Sequence, residues 1–388
     1  MKVVHLCLCG PYNDNWGYQD NIIPKYNRKD GHDVTVITST FIDSTKFVGY
    51  EKVEPREYFL DDEVKIIRIP FKQFFINKLV EKLRIYEGLY KKLEQEEPDL
   101  IFMHGVQFLD MKIVVKYIKN NPNCKLVADN HASYDNSASN FISREILHKI
   151  FYKKTIQKSL PYIKKIFMLA SGCRDFAKDM YDIPDEKTEY LYLGADTDKI
   201  NFQNKEKIRY RIRKEFEIEA DDFVLITGGK LSIGKNTKLL MDSLKEIQNK
   251  NLKLIIFGAF SDDIKDEMLD LIKLDNRIKY IGWLQGEDVY DYYLSADVAI
   301  FPGTKSALWE QAICSGLPMI CKRWNGMEYV DVGGNCIFID GDNKEKIIES
   351  IELLISNKEI FKNMEHIAKT KGYERFSYER ISRQAIDI

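Results

Sequence analysis

Short apolar runs without the every-second-residue alternation of a half-solvated sheet recur through the first half of the chain, at Val3 to Leu8, Val34 to Thr38, Val64 to Ile69, Leu100 to His104, Leu126 to Asp129 and Ile166 to Ala170. A strand that is apolar on both sides has to be covered on both faces, which is the situation of a parallel sheet wrapped by crossover helices. The intervals carry helical patterns, roughly Gln19 to Lys29, Ile76 to Glu96, Asp110 to Asn120, Phe141 to Ser159 and Arg174 to Tyr181. Strands and helices in strict alternation specify an α/β, doubly wound domain.

The alternation then starts again. After a charged stretch from Lys199 to Asp222 that lacks strand signals, Val224 to Thr227, Lys253 to Phe257, Ile278 to Ile281, Val298 to Phe301, Pro318 to Cys321 and Cys336 to Ile339 read as strands. A chain of 388 residues suits two domains of about 150 to 200 residues each. We expect a first Rossmann-like domain over 1–198, a second over 199–368 and a closing helix over 369–388, with the two domains facing each other across a cleft. The closing segment places Phe376, Tyr378, Ile381, Ala385 and Ile386 at helical spacing.

Charge and cysteine usage narrow the function. The 58 basic and 60 acidic residues leave a net charge of −2, which supplies no global field for a polyanion and excludes a dedicated nucleic-acid protein. Seven cysteines without a CxxC pair read as reduced thiols and place the chain in the cytosol. No apolar run has the length of a membrane span, so we expect a soluble or peripheral protein. There is no HxxxH or HExxH pair and no compact DxD, so no metal site and no cofactor are expected. The first strand is followed only by Gly10 and Gly17, seven apart, so the GxGxxG fingerprint of a dehydrogenase is missing.

The chemistry concentrates in the second half. Phe301 to Pro318, FPGTKSALWEQAICSGLP, reads as strand end, a turn over Thr304 to Ser306, and a helix from Ala307 to Ser315 that Gly316 ends. Such a turn lies at the carboxyl edge of a parallel sheet, where ligands bind. Glu310 falls in the first helical turn, where its carboxylate suits a neighbouring diol and equally suits the helix dipole. In GGKLSIGKNTKLL, Lys230 and Lys235 flank a loop that opens a helix and can neutralise a diphosphate. Asn236 occupies the place of the hydroxyl residue that a P-loop would need, and each lysine alone fits a solvated loop. His131, in DNHAS, follows a strand end among polar neighbours; His104 has a similar placement, while His5, His32, His148 and His366 look structural or solvated.

With these motifs the chain resembles a glycosyltransferase of family 4 with the two-domain GT-B fold, from the first strand to the last helix. The resemblance implies transfer of a sugar, with retention, from a nucleotide-sugar donor, UDP-linked by preference, to a saccharide or lipid-linked saccharide acceptor in surface polysaccharide or glycoconjugate synthesis. It implies that Lys230 and Lys235 grip the donor diphosphate, that Glu310 bonds the ribose, and that amides of Ser306, Ala307 and Leu308 meet phosphate. Gly258 and Leu284 match positions lining the base pocket, Gly17 the N-terminal glycine loop, and His131 the histidine facing the acceptor. Domain closure would accompany turnover, and the tail resembles the helix that crosses back onto the first domain.

Two departures stand out. Pro302 occupies the place of a second glutamate, in a turn about four residues shorter than the family's, and Thr304 and Lys305 are the residues able to fill its space. The glycine pair of the N-terminal loop is reduced to Trp16-Gly17. Two rivals remain, a UDP-sugar 2-epimerase of the same fold and a non-catalytic nucleotide-binding partner. Finally, Arg144, Lys149, Lys153, Lys154 and Lys158 interleave with Ile146, Ile150 and Phe151, a pattern for peripheral contact with anionic lipid at the inner face of the cell membrane as well as for a solvated helix face.

Overall fold

The computed structural model describes residues 1–44, 49–73, 77–284 and 286–388. It separates into two compact units, Met1–Tyr192 together with Ile381–Ile388, and Leu193–Arg380. The division thus falls after Tyr192 rather than after residue 198, and the returning segment starts at Ile381 rather than at 369. The charged stretch read as a junction belongs to the second unit. Its helix Lys205–Glu215 is docked by Asp297, which pairs with Arg209 at 2.6 Å and Arg213 at 2.8 Å and accepts from the Val224 amide at 2.8 Å.

In the first unit the strands are β1 (Lys2–Cys7), β2 (Asp33–Ser39), β3 (Phe41–Asp43), β4 (Tyr50–Lys52), β5 (Arg56–Phe59), β6 (Lys65–Ile69), β7 (Leu100–Met103), β8 (Lys125–Asn130), β9 (Lys165–Met168) and β10 (Thr188–Tyr190). Among the described residues, eight of them form one sheet in the order β10-β9-β8-β7-β1-β2-β6-β5, and β3 and β4 make a separate pair. Among the described residues only β5 runs antiparallel in the large sheet. Leu100 to Met103 are all buried, because both sheet faces are covered by helices. The winding reverses between β1 and β7, which puts a topological switch point at their carboxyl ends.

Some elements differ from the sequence reading. The helix expected from Ile76 starts outside the described residues, and it is two helices, Asn77–Leu83 and Leu89–Glu96. Arg84 and Gly88 adopt left-handed backbone at φ 57° and 78°, which interrupts the helical winding. The basic helix winds in wide π-type turns over Ile142–Tyr152 before reverting to α over Lys153–Ser159. The tail is broken at Ser377, with helix Tyr378–Ile386 after it. Its end is tied into the first unit by Arg383 on Asp30 at 2.8 and 2.9 Å and by Gln384 on Glu189 at 2.8 Å.

The second unit is built on β11 (Phe223–Leu231), β12 (Leu252–Phe260), β13 (Ile278–Gly282), β14 (Val298–Phe301), β15 (Met319–Lys322) and β16 (Cys336–Ile339). They pair in parallel in the order β13-β12-β11-β14-β15-β16. This is a doubly wound order with its switch point between β11 and β14. Leu225, Leu254, Ile300 and Ile320 from the sheet and Leu240, Met241, Ile347 and Ile351 from its helices share one buried core. β11 and β12 are longer than the apolar runs suggested, so Gly228, Gly229 and Lys230 lie inside β11 and Gly258 inside β12.

Candidate active site

The carboxyl ends of β11 and β14 hold most of the residues singled out in the second half. The segment after β11, Ser232 to Asn236, is fastened to the segment after β14. The Thr304 amide donates to Gly234 O at 2.8 Å, Asn236 Nδ2 to Pro302 O at 3.1 Å, and Lys235 Nζ to Thr304 O at 2.9 Å and Lys305 O at 3.0 Å. A Cβ on Gly303 would stand 2.3 Å from Gly234 O, so only glycine permits this closeness. Trp324 Nε1 donates to Gly303 O at 2.9 Å and braces the turn from β15.

Lys235 uses two of its three ammonium protons on these carbonyls, which leaves one for a ligand. Burial lowers its pKa from the ordinary lysine value. Lys230 is exposed on β11 and has no partner among the described residues. Its neighbour Gly229, at φ 115°, lies against Leu308, whose Cδ1 would be 3.1 Å from an added Cβ. The structure therefore brings Lys230, Lys235, Thr304, Lys305 and Leu308 to one edge of the second sheet.

The helix runs Leu308–Cys314, one residue shorter at each end than expected. Glu310 in its first turn is 1% exposed. Tyr329 donates its hydroxyl to Glu310 Oε1, while Oε2 is buried without a hydrogen-bond partner among the described residues. Burial raises the pKa of Glu310 to about 7, against the opposing effects of the Tyr329 hydrogen bond and of its own amide. A buried carboxylate oxygen left without a donor is costly, and a ligand hydroxyl would relieve that cost. Tyr329 was not singled out from the sequence, since nothing in a 3₁₀ turn 19 residues downstream signals a partner for Glu310.

Gly258 and Leu284 stand elsewhere on the same sheet. Gly258 has φ 109°, and a Cβ there would stand 1.9 Å from Gly229 O, so close pairing of β11 with β12 accounts for this glycine by itself. Leu284 is half-buried beyond β13. Gly17 belongs to the first unit, is exposed, and an added Cβ would meet nothing within 4 Å.

His131 also belongs to the first unit, beside its switch point. Asp129 Oδ2 is shared by His104 Nδ1 at 3.0 Å and His131 Nε2 at 3.1 Å. The second approach is close but off the line of a hydrogen bond, and Nε2 is buried with no hydrogen-bond partner among the described residues. The His131 side chain is nevertheless 40% exposed, so solvent reaches the rest of the ring. Burial disfavours its charge, but Asp129 and Asp20 outweigh that and raise its pKa. Despite burial, His131 and His104 hold the Asp129 carboxyl well below its usual range. Asn130 fixes the loop by donating to Ala132 O and Cys173 O at 3.1 and 3.0 Å. His104, Asp129 and His131 have ligating atoms within 4.8 Å of one another. Asp129 Oδ2 and His104 Nδ1 are already committed to their mutual hydrogen bond, so a cation would have to displace its proton first. His5, read as structural, turns out to be bonded to His104.

Comparison with known proteins agrees with this architecture. Residues 25–199 match the model of Glycosyltransferase Family 4, and residues 208–374 that of Glycosyl transferases group 1. An uncharacterised glycosyltransferase of Methanocaldococcus jannaschii is 21% identical over 252 residues, a match that spans 62% of this chain and 62% of that protein. The lipopolysaccharide 1,2-N-acetylglucosaminetransferase of Salmonella typhimurium is 20% identical over 354 residues, 87% of this chain and 81% of the relative. Among solved structures, Anabaena HepE in complex with UDP superposes with a TM-score of 0.67 at 16% identity, covering 99% of this chain and 98% of the other. Two family models that follow one another along the chain, over two doubly wound units, identify it as a member of the family 4 glycosyltransferases with the GT-B fold.

Proposed function

We propose that the enzyme transfers a sugar from a UDP-linked donor to a saccharide or lipid-linked saccharide acceptor, with retention at the anomeric carbon. The observation that carries this reading is the unpartnered, buried Oε2 of Glu310 on the same sheet edge as Lys230 and Lys235. Glu310 accepts from the ribose diol, and Lys230 with the free proton of Lys235 holds the diphosphate. HepE, a similar fold, is described in complex with UDP, and the Salmonella relative is named for transfer of N-acetylglucosamine to lipopolysaccharide.

As the bond between the anomeric carbon and the β-phosphate oxygen breaks, its electron pair stays on that oxygen, and the two ammonium groups stabilise the growing charge. The acceptor oxygen forms the new bond to the same carbon and passes its proton to the departing phosphate oxygen. No side-chain nucleophile or metal is required, and Thr304 and Lys305 shape the sugar side where the family's second glutamate is absent. By its resemblance to the histidine that faces the acceptor in the family, we assign His131 to acceptor binding. Incubating the enzyme with UDP-sugars and a panel of lipid-linked saccharides tests the reading. Acceptor-dependent UDP release supports it, and an epimer formed without acceptor overturns it.

The acceptor's lipid gives a role to the basic helix. Phe141, Ile142 and Ile150 are 69%, 68% and 55% exposed, an unusual display of apolar side chains, beside Arg144, Lys149, Lys153 and Lys154. His148 and Tyr152 on the opposite side are buried. Among the described residues no helix is long and apolar enough to cross a membrane; this one rests on anionic lipid through its apolar face and cations. Sedimentation with anionic vesicles at low salt, abolished by Ile142→Asp with Phe141→Asp, is the expected result; sedimentation unchanged by the pair removes the assignment.

A further inference from the structure

Asn27, His5, His104 and Asp129 form one buried line of hydrogen bonds in the first unit. Asn27 Nδ2 donates to the carbonyl of Ser382 at 3.1 Å, an atom that can only accept. That fixes the amide, so its Oδ1 faces His5 Nε2, 3.0 Å away, and accepts. His5 Nδ1 and His104 Nε2 are 3.1 Å apart. At the far end His104 Nδ1 meets Asp129 Oδ2 at 3.0 Å, while Asp129 Oδ1 accepts from the Gly105 amide at 2.7 Å.

The line has three links that involve the two rings, and each needs one proton. Both of its ends are oxygen acceptors, whereas two neutral imidazoles bring only two N–H protons. We infer that the His5–His104 pair carries a third proton, hence one buried positive charge, and that this cation holds Asp129 ionised and oriented beneath His131. Asn27, His5 and His104 are then positioning residues for His131. Of the two rings His104 is the one that meets a carboxylate, Asp129 Oδ2 at 3.0 Å, so the extra proton is placed on it. The other titratable groups facing the cluster are the Asp20 carboxyl and the Cys7 and Cys9 thiols, all raised by burial, and the Arg84 guanidinium, which acts on the Cys9 side; none of them stands in the line of hydrogen bonds.

The charge assignment follows from the hydrogen-bond geometry; the role given to His131 rests on the function proposed above. Asp129 Oδ2 lies 3.0 Å from His104 Nδ1 and 3.1 Å from His131 Nε2, so a cation on His104 offsets part of its electrostatic pull on a His131 proton. The chain has six histidines, and ¹⁵N-histidine NMR of the 388-residue chain distinguishes imidazolium from neutral rings. An imidazolium that persists at pH 8 is expected in the wild type. In Asn27→Leu the acceptor at the His5 end is gone, two protons suffice, and the persistent imidazolium should vanish while the His131 midpoint moves up by about one pH unit. His5→Phe, which keeps a ring beside Phe102, gives the same loss of imidazolium if the leucine variant does not fold. A wild type whose interior rings are all neutral at pH 8, or a folded variant that keeps its imidazolium, overturns the inference. Failure of sugar transfer in a wild type that shows the cation would count against the proposed function alone.

Discussion

Replacing Glu310 by glutamine separates the electrostatics of the buried carboxyl from its shape. Burial moves its pKa from an ordinary 4.5 to about 7, a displacement worth about 3 kcal/mol at ~1.4 kcal/mol per pH unit. The folded chain keeps this proton in a range where the unfolded chain has released it. The group therefore costs nothing below pH 4.5, costs progressively more as pH rises to 7, and imposes its full penalty above that. Glutamine carries no such penalty, and its carbonyl still accepts from Tyr329. Urea unfolding of both proteins at pH 5 and pH 8 should show the wild type losing about 3 kcal/mol more than the variant over that interval, other groups cancelling in the comparison. A bound ribose diol stabilises the ionised form, so UDP affinity should increase as pH rises through 7 in the wild type. The variant should lose that part of the dependence and bind UDP about 10- to 100-fold more weakly, the worth of hydrogen bonds to a charged acceptor. Parallel pH slopes of stability would refute the buried, raised carboxyl, and undiminished UDP binding would refute its contact with the ribose.

Other outcomes follow from the same geometry. Tyr329→Phe removes the hydroxyl that lowers the Glu310 pKa, so the pH midpoint of UDP binding, followed by calorimetry, should move upward. Gly258→Ala forces a Cβ onto Gly229 O at a φ of 109° and should cost several kcal/mol, seen as loss of the cooperative unfolding transition or of soluble protein. Asp297→Ala strands Arg209, Arg213 and the Val224 amide and should destabilise the second unit by about 3 to 5 kcal/mol in urea unfolding.

Much of the fold is legible in the sequence because apolar runs such as Leu100 to Met103 are buried on both faces and carry no competing pattern. What escaped was edge and interruption. Arg56–Phe59 is mostly exposed, so charge obscures a strand held by one neighbour, and Arg84 enters left-handed backbone that its residue type does not announce. At the candidate site, Lys235 and Glu310 are readable because each sits at a strand-to-helix junction. Tyr329, Trp324 and His5 are not, since their roles depend on partners 19, 21 and 99 residues away. Gly258 shows the converse, a glycine whose packing alone explains it.

If Lys230, Lys235 and Glu310 serve one nucleotide diphosphate, calorimetric titration of UDP and of uridine into the wild type and into Lys230→Ala with Lys235→Ala will show it. The double variant should bind UDP at least about 100-fold more weakly, as two charge-assisted contacts at ~1.5 kcal/mol or more each require, and should bind uridine as the wild type does. Equal UDP affinity in the two proteins would contradict the shared site.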